Sequence, residues 1–334
     1  MEAPTDGAGA GFGTRRDWAL PALAGPRAVF RFLGLRLLRA VAIAFAVVTI
    51  IFFLFSLVPG DQAAYLAGPG STQAEIDNLR QSLGLNDPLL VQYARHVTGL
   101  LRGDFGTSEV FRSDPLPFIL VRIPATLALT GAAIGLTILI GIPAGLVSAM
   151  FHTRLPDLTI SFSVVALLAV PNFWLGLLLL SLFSVQLGWL PSFGFSGPAS
   201  LILPSLALAA RLVALVARMT RGVTIDELGK DYVRTARSKG LGRTAILMRH
   251  VLRNVMIPTL TVIGLQTGYL LGGSVVIERL FAWPGIGDMM INAIGQRDYA
   301  VAQAVTILFV VAFLVINLVV ELLYLLINPR MRTA

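Results

Sequence analysis

The stretch that decides the fold class is residues 126–150, TLALTGAAIGLTILIGIPAGLVSAM, which contains no charged residue. A bilayer hydrocarbon core about 30 Å thick is crossed by about 20 predominantly apolar residues in an α-helix. Backbone amides in lipid must find their hydrogen-bond partners within the protein, and a helix provides them within one segment. Residues 126–150 therefore predict a helix that spans a membrane.

The same apolar character recurs along the chain, because hydrophobic residues make up 56% of its 334 residues and charged residues only 13%. Soluble domains carry about 25% charged residues, so lipid is the expected solvent for most of this chain. Pro143 and Pro171 predict kinks in the second and third spans. The predicted fold is an all-α integral membrane protein of about six transmembrane helices, at residues 40–58, 126–150, 161–187, 201–219, 255–277 and 301–327.

Lysine and arginine are distributed unevenly between the two sides of this predicted bundle. Segments on the side of the two termini contain 19 of the 26 basic residues, and segments on the other side contain seven. Basic residues accumulate in the cytoplasmic loops of membrane proteins, so the net charge of +8 indicates a topology and not nucleic-acid binding. Both termini are predicted to be cytoplasmic.

The predicted spans divide the chain into three regions. Residues 1–28 are rich in Gly, Ala and Pro, a composition that predicts a disordered cytoplasmic tail. Residues 29–122 are expected to hold the first transmembrane helix and an extracytoplasmic cap, with cap helices at 73–83 and 88–101. Residues 123–328 are expected to form the membrane core, which includes a cytoplasmic loop at residues 220–254.

That cytoplasmic loop carries an apolar stripe at helical spacing, formed by Ile225, Leu228, Tyr232 and Ala236. Gly240 suits a left-handed cap at the end of a helix, and Thr244 suits the N-cap of a second helix. The stripe predicts a helix, a tight turn and another helix outside the membrane. A solvated basic loop is the alternative, although it leaves the stripe unexplained.

Four residues are candidates for a translocation pathway. Arg211 interrupts an apolar span, where an arginine costs about 2.5–3.5 kcal/mol, so it is expected to face a cavity or to pair with Glu321. Snorkelling to the cytoplasmic interface is the alternative. Trp283, Pro284 and Gly285 lie in a short interrupted segment, for which a re-entrant turn toward the pore and a surface hairpin both remain open. Trp283 is expected to be an interfacial anchor.

No catalytic or metal site is predicted. The chain contains no cysteine, no HExxH or GxSxG pattern and no paired carboxylates on a span, and its three histidines lie in separate segments. It also lacks the phosphate-binding pattern G-x-x-x-x-G-K-[ST]. This chain is therefore not expected to bind the phosphates of ATP itself.

Residues 231–241, DYVRTARSKGL, resemble the coupling loop of importer permeases in the form typical of the peptide, oligopeptide and nickel family. Ala236, Gly240 and Leu252 match the general permease signature when Gly240 is the anchor. Other stretches are similar to the B-type subunit of that family, although Asn328 stands where Asp is commoner. They run in order through residues 59–61, 84–93, 103–108, 278–287, 297–299 and 323–330.

The resemblance implies a type I ATP-binding-cassette importer permease of a bacterial inner membrane. Its implied partners are a second related permease, two cytosolic ATPases, an extracytoplasmic binding protein and the lipid bilayer. ATP and Mg²⁺ would bind to the ATPases, and no cofactor to this chain. The residues expected to couple to the ATPases are Arg234, Thr235, Ala236, Arg237, Gly240 and Leu241.

Di- or oligopeptides are the expected cargo, and nickel, glutathione or another small solute is the alternative. An ion-coupled secondary transporter is a rival from another class, but it would require inverted repeats or several intramembrane acids. An intramembrane enzyme would require a catalytic pair within the spans. Neither pattern is seen in the sequence.

Overall fold

The structure is a computed structural model that describes residues 26–57, 62–68, 70–108 and 110–327. All regular elements in those ranges are helical. The sequence motifs at 59–61 and 328–330 lie outside the described residues. So does the predicted tail, except for residues 26–28, where the first helix has already begun.

The α-helices of the described residues are labelled in chain order. They are α1 (Pro26–Ser56), α2 (Gln62–Ala67), α3 (Gln73–Ser82), α4 (Leu89–Leu101), α5 (Leu116–Leu136), α6 (Ile142–Met150), α7 (Leu155–Ala169), α8 (Asn172–Leu179), α9 (Ile202–Leu228), α10 (Asp231–Ser238), α11 (Arg243–Ile246), α12 (Leu252–Leu280), α13 (Ile286–Gly295) and α14 (Tyr299–Ile327). Short π-helical segments at Thr137–Gly141, Leu180–Gln186 and Leu247–Val251 join some of them into longer runs.

Within the described ranges, five helical runs are long and apolar enough to cross a membrane: Leu38–Ser56, Leu116–Met150, Pro198–Leu228, Arg243–Leu280 and Tyr299–Val320. A sixth span results if Leu155–Ala169 and Asn172–Gln186 are counted together, although they meet at an angle of 107°. The prediction of about six transmembrane helices is confirmed. With the bent pair counted as one span, successive spans alternate in direction, so α3, α4 and α13 share one end of the bundle and α10 and α11 share the other.

The break in the third span is sharper than the predicted kink. Pro171 has no amide hydrogen to continue the helical ladder, and the residue before a proline is driven toward extended backbone. Val170 accordingly adopts φ −89° and ψ 127°. The span therefore consists of two separate half-helices, α7 and α8.

The helix α9 is the central element of the bundle, and it packs against α5, α6, α7, α8 and α12. In the apolar stretch of this span 67% of the residues are buried, against 6% in the first span and 11% in the last. Leu208, Leu212 and Val216 of α9 belong to the largest buried cluster, together with Leu129 and Ile263 from its neighbours. The first and last spans therefore lie at the periphery, with most of their apolar surface uncovered.

The predicted and observed helix boundaries agree best in the predicted extracytoplasmic cap. The helices α3 and α4 lie within one residue of the predicted 73–83 and 88–101, which is a confirmed prediction. A capping box explains the start of α3, since Glu75 Oε2 accepts from Thr72 N at 2.8 Å and Thr72 Oγ1 accepts from Glu75 N at 3.4 Å. In contrast, the expected boundary between the cap region and the membrane core, at residues 122 and 123, falls inside a helix, because α5 begins at Leu116.

Candidate functional site

A cleft of about 420 Å³ lies between α8, α9 and α12. Its wall carries four polar side chains among apolar ones, those of Asn172, Arg211, Gln266 and Tyr269. The Arg211 side chain is exposed, and no other described residue forms a hydrogen bond or ion pair with it. The side chain of Glu321 lies outside the described residues, so its pairing with Arg211 stays a prediction.

The other three candidates for the pathway are not part of the lining of this cleft. Trp283 is 1% exposed, its Nε1 donates to the carbonyl oxygen of Ala125 at 2.9 Å, and its ring lies edge-on to Phe195. The prediction that Trp283 anchors the chain at the interface is therefore wrong, because the indole is buried among helices. Pro284 is exposed and Gly285 is buried in the turn before α13.

That turn is held by a buried carboxylate, that of Glu278 near the end of α12. Glu278 Oε2 accepts from the amides of Gly287 at 2.7 Å and Asp288 at 3.1 Å, and Oε1 accepts from Thr126 Oγ1 at 2.7 Å. The Thr126 hydroxyl in turn accepts from the amide of Ile286 at 3.0 Å. Glu278 therefore fixes the start of α13 to both α12 and α5.

The glycines of the turn are explained by the same carboxylate. A Cβ at Gly285 would clash with the carboxylate of Glu278, and a Cβ at Gly287 would lie 2.8 Å from Glu278 Oε2 and 2.7 Å from the Cα of Val275. Sequence reasoning missed Glu278 as a functional residue. The available signal was an acid at the end of an apolar run, followed by two closely spaced glycines.

A second contact joins two of the motif stretches near the same end of the bundle. Ser108 Oγ donates to Asp298 Oδ2 at 2.5 Å, and the amide of Val110 donates to the same oxygen at 3.2 Å. Asp298 also accepts from the amide of Val301 at 3.2 Å and so caps α14. Both Ser108 and Asp298 are buried, which indicates that these motif residues hold the loop before α5 against α14.

Residues 229–255, named here the coupling module, contain α10, α11 and the start of α12. Val233 and Ala236 are buried and pack on Ile246, Leu247 and Val251. The predicted helix, turn and helix are present, with Gly240 at φ +81° in the left-handed turn. Thr244 is not the cap, however, because α11 begins at Arg243 and its N-cap is Gly242. The predicted helix is also divided at Gly229 between α9 and α10.

The burial of Ala236 changes the interpretation of the coupling residues. The side chain of Ala236 is 7% exposed and belongs to the core of this chain, so it is not available to a groove on a partner. Leu241 packs half-buried against the same cluster. Arg234, Thr235, Arg237 and Gly240 are exposed, and these residues form the outward face of the module.

This face continues into a basic pocket of about 230 Å³, lined by His152, Arg154, Arg237 and Arg243 over an apolar floor. These four side chains come from the α6–α7 turn, from α10 and from α11. None of the three arginines forms an ion pair with a described residue. The pocket therefore carries unpaired positive charge, which is complementary to an acidic surface.

Two polar clusters fix the coupling module and its surroundings to the bundle. Glu227 of α9 accepts from Lys230, from Tyr232 Oη at 2.6 Å and from Asn254 Nδ2 of α12 at 3.1 Å. Burial raises the pKa of the Tyr232 hydroxyl, and its hydrogen bond to Glu227 raises it further. Tyr232 therefore remains a protonated donor at neutral pH. This cluster joins α9, α10 and α12.

The second cluster surrounds Asp157, which is 3% exposed at the start of α7. Arg221 of α9 binds it with two hydrogen bonds, from Nε at 2.6 Å and from Nη2 at 2.8 Å. The amide of Thr153 donates at 2.9 Å, and Ser148 Oγ donates as well. The turn between α6 and α7 is therefore fastened to α9.

The family comparison accounts for this architecture. Residues 141–333 match the family described as binding-protein-dependent transport system inner membrane component, and residues 29–130 match the N-terminal region of binding-protein-dependent transport system membrane components. Two solved structures share the fold. An inward-facing MetNI methionine ABC transporter chain has a TM-score of 0.54 at 18% identity, over 64% of this chain and 97% of that one. An amino acid ABC transporter chain has a TM-score of 0.51 at 18% identity, over 63% and 94%.

Two curated relatives are much closer in sequence. The glutathione transport system permease protein GsiC of Salmonella paratyphi A (strain ATCC 9150 / SARB42) is 43% identical over 297 residues, or 89% of this chain and 97% of that protein. GsiC of Escherichia coli (strain K12) is 42% identical over the same shares. A family match decides against an ion-coupled secondary transporter. This chain belongs to the binding-protein-dependent transport system inner membrane component family and is a multi-pass permease subunit of an ATP-binding-cassette importer.

Proposed function

We propose that this permease forms half of a translocation pathway for small peptides. It would work with a second related permease, two cytosolic ATPases that bind ATP and Mg²⁺, and an extracytoplasmic binding protein. The chain itself would bind no cofactor. Both termini and the coupling module would be cytoplasmic, and α3 and α4 would lie outside.

The observation that carries this proposal is the attachment of α10 to the walls of the cleft. Val233 and Ala236 bury one face of α10 against the start of α12, and the Glu227 cluster ties α10 to both α9 and α12. The same two helices provide Arg211, Gln266 and Tyr269 to the cleft. A displacement of α10 by closing ATPases would therefore move α9 and α12 together and change access to the cleft.

The cargo is proposed from sequence similarity. The relatives at 42–43% identity are named as glutathione transport permeases, and glutathione is a tripeptide. This supports di- and oligopeptides or glutathione as cargo, with nickel and other small solutes as the remaining alternatives. The binding protein would select among them before release into the cleft.

Charge reversal on the outward face of α10 tests the coupling. We expect the double variant Arg234→Glu, Arg237→Glu to recover at least about tenfold less ATPase when the complex is purified through this chain, since facing like charges across an interface costs several kcal/mol. Uptake into vesicles that contain the full importer should fall in parallel. Both side chains are exposed, so insertion and folding of this chain should be unaffected.

The control is Arg102→Glu, at an exposed arginine beside the cap helix α4, which reverses one charge at the opposite end of the bundle where the test variant reverses two. It should retain the ATPase. Full recovery of the ATPase with the double variant would contradict the assignment of α10 as the coupling helix. Ala236→Trp is unsuitable for this purpose, because it would overfill the core of the module.

The proposed topology gives a separate prediction. A reporter fused after residue 332 or within residues 237–243 should be cytoplasmic, and a reporter within residues 77–104 should be external. The reason is the excess of lysine and arginine on the proposed inner side, 18 residues without Arg211 against seven on the outer side. Enzymatic reporters that are active on one side only measure this directly. External reporters both at residue 332 and within residues 77–104 would contradict the six-span topology.

A further inference from the structure

The cleft places an arginine near the middle of the membrane span. Arg211 lies nine residues after Ile202, the start of α9, or about 14 Å at 1.5 Å per residue. Ten residues, about 15 Å, separate it from Arg221, which is bound to Asp157 at the other end. An extended arginine side chain is shorter than either distance. Its exposed charge therefore faces the cleft and does not reach a lipid headgroup.

The wall of the cleft offers hydrogen-bond donors without a matching negative charge. A guanidinium group has five donors and no acceptor, and no carboxylate of the described residues lines the cleft. The side-chain amides of Asn172 and Gln266 add further donors, and neither is bonded to a described residue. A ligand with a negatively charged hydrogen-bond acceptor would complement these donors.

The broken span adds positive potential to the same wall. Asn172 is both a lining residue and the first residue of α8. The first amides of a helix have no carbonyl partner within it, and the helix dipole makes that end electropositive. Because the break at Pro171 exposes this end inside the bundle, it reinforces Arg211 and does not constitute a site by itself.

We infer that the cleft binds the carboxylate of a passing peptide through paired hydrogen bonds from Arg211, with Asn172 and Gln266 as secondary donors. A planar guanidinium group matches the two oxygens of a carboxylate. The volume of about 420 Å³ is in the range of sites for small molecules. A divalent metal ion would be repelled by the same group, so the inference favours peptide over nickel within the proposed function, on which it rests.

A cysteine reporter tests this inference, since the chain contains no cysteine. Gly273 lines the cleft, and a Cβ there would lie 3.6 Å from Leu208 Cδ1, an ordinary contact. In the assembled importer with Gly273→Cys, trialanine should slow labelling by a methanethiosulfonate reagent at least about tenfold, since a single charge-assisted hydrogen bond already accounts for that factor. Trialanine amide, which lacks the carboxylate, should give little protection. Mass spectrometry of this chain measures the labelling.

Removal of the guanidinium group should abolish the difference between the two peptides. In Gly273→Cys with Arg211→Gln, the acid should protect no better than the amide, and Arg211→Lys should retain part of the difference. The control is Arg218→Gln, at an exposed arginine two turns further along α9. In this variant trialanine should protect the cysteine as well as it does in the parent. Equal protection by acid and amide in the parent, or undiminished protection in both Arg211 variants, would overturn the inference.

Uptake measurements separate this inference from the proposed function. A complex that imports trialanine without protection dependent on Arg211 contradicts the carboxylate site alone. A complex that shows this protection but imports no peptide contradicts the proposed cargo alone and supports the site. Import of Ni²⁺ with neither peptide import nor protection contradicts both.

Discussion

Replacement of Gly145 by alanine should lower the stability of the folded chain by about 1–3 kcal/mol, the usual cost of overpacking a well-packed contact. Gly145 lies where α6 crosses α9. A Cβ there would be 2.5 Å from the carbonyl oxygen of Ala217 and 2.6 Å from the Cβ of Thr220. Backbone atoms cannot rotate away, so the two helices must separate, and the larger side chain of Gly145→Leu should prevent folding.

The measurement is the thermal unfolding of the detergent-purified chain, in which Gly145→Ala should lower Tm by a few degrees. Gly135 in the same span provides the control, since a Cβ there would have no neighbour within 4 Å. Alanine is a better helix former than glycine by up to about 1 kcal/mol, so Gly135→Ala should be neutral or stabilising. Equal behaviour of the two variants would contradict the close crossing of α6 and α9.

Replacement of Glu278 by alanine should be more damaging still. It removes the acceptor for the amides of Gly287 and Asp288 and for the hydroxyl of Thr126. Each buried group left without a partner costs about 1–3 kcal/mol, so the loss for the turn is several kcal/mol. The start of α13 should detach from α12, and the variant should be recovered in much lower yield as a monodisperse protein.

Limited proteolysis offers a local measurement, because detachment should expose the chain between α12 and α14 to trypsin at Arg279 and Arg297. Glu278→Gln keeps the size of the side chain and one acceptor oxygen, so its resistance to trypsin should lie between that of the parent and that of Glu278→Ala. Asp226→Ala removes an exposed acid of α9 and should behave as the parent. If Glu278→Ala remains resistant to trypsin and is recovered in normal yield, the carboxylate does not hold the turn.

The features that sequence predicted well are those with local causes. The cap helix α3 begins at a capping box four residues long, and the spans follow from apolar length alone. The left-handed turn at Gly240 likewise depends on the residue itself. Each of these signals lies within one continuous segment of the chain, so no knowledge of the tertiary packing is needed.

The errors arise where a role depends on distant residues. Glu278 is recognisable as an anchor only when Thr126, 152 positions earlier, is placed beside it. The helical spacing that identified Ala236 indicates a buried face, but it does not tell whether a partner or the same chain covers that face. Trp283 suits a membrane interface by its chemistry, but its ring is buried in the core of the bundle, where the carbonyl group of Ala125 accepts a hydrogen bond from its N–H.

The interruption at Pro171 has a mechanical consequence for the bundle. The half-helix α7 is tied to α9 through Asp157 and Arg221, whereas α8 packs at Gly176 against Leu280 of α12. The span therefore consists of two short helices, and no continuous ladder of helical hydrogen bonds connects them. In contrast, α9 and α12 are unbroken rods of 27 and 29 residues, about 40 Å long. In the proposed function, a displacement of the coupling module would therefore be transmitted across the membrane by α9 and α12, and the interrupted span would allow the cleft beside it to change shape.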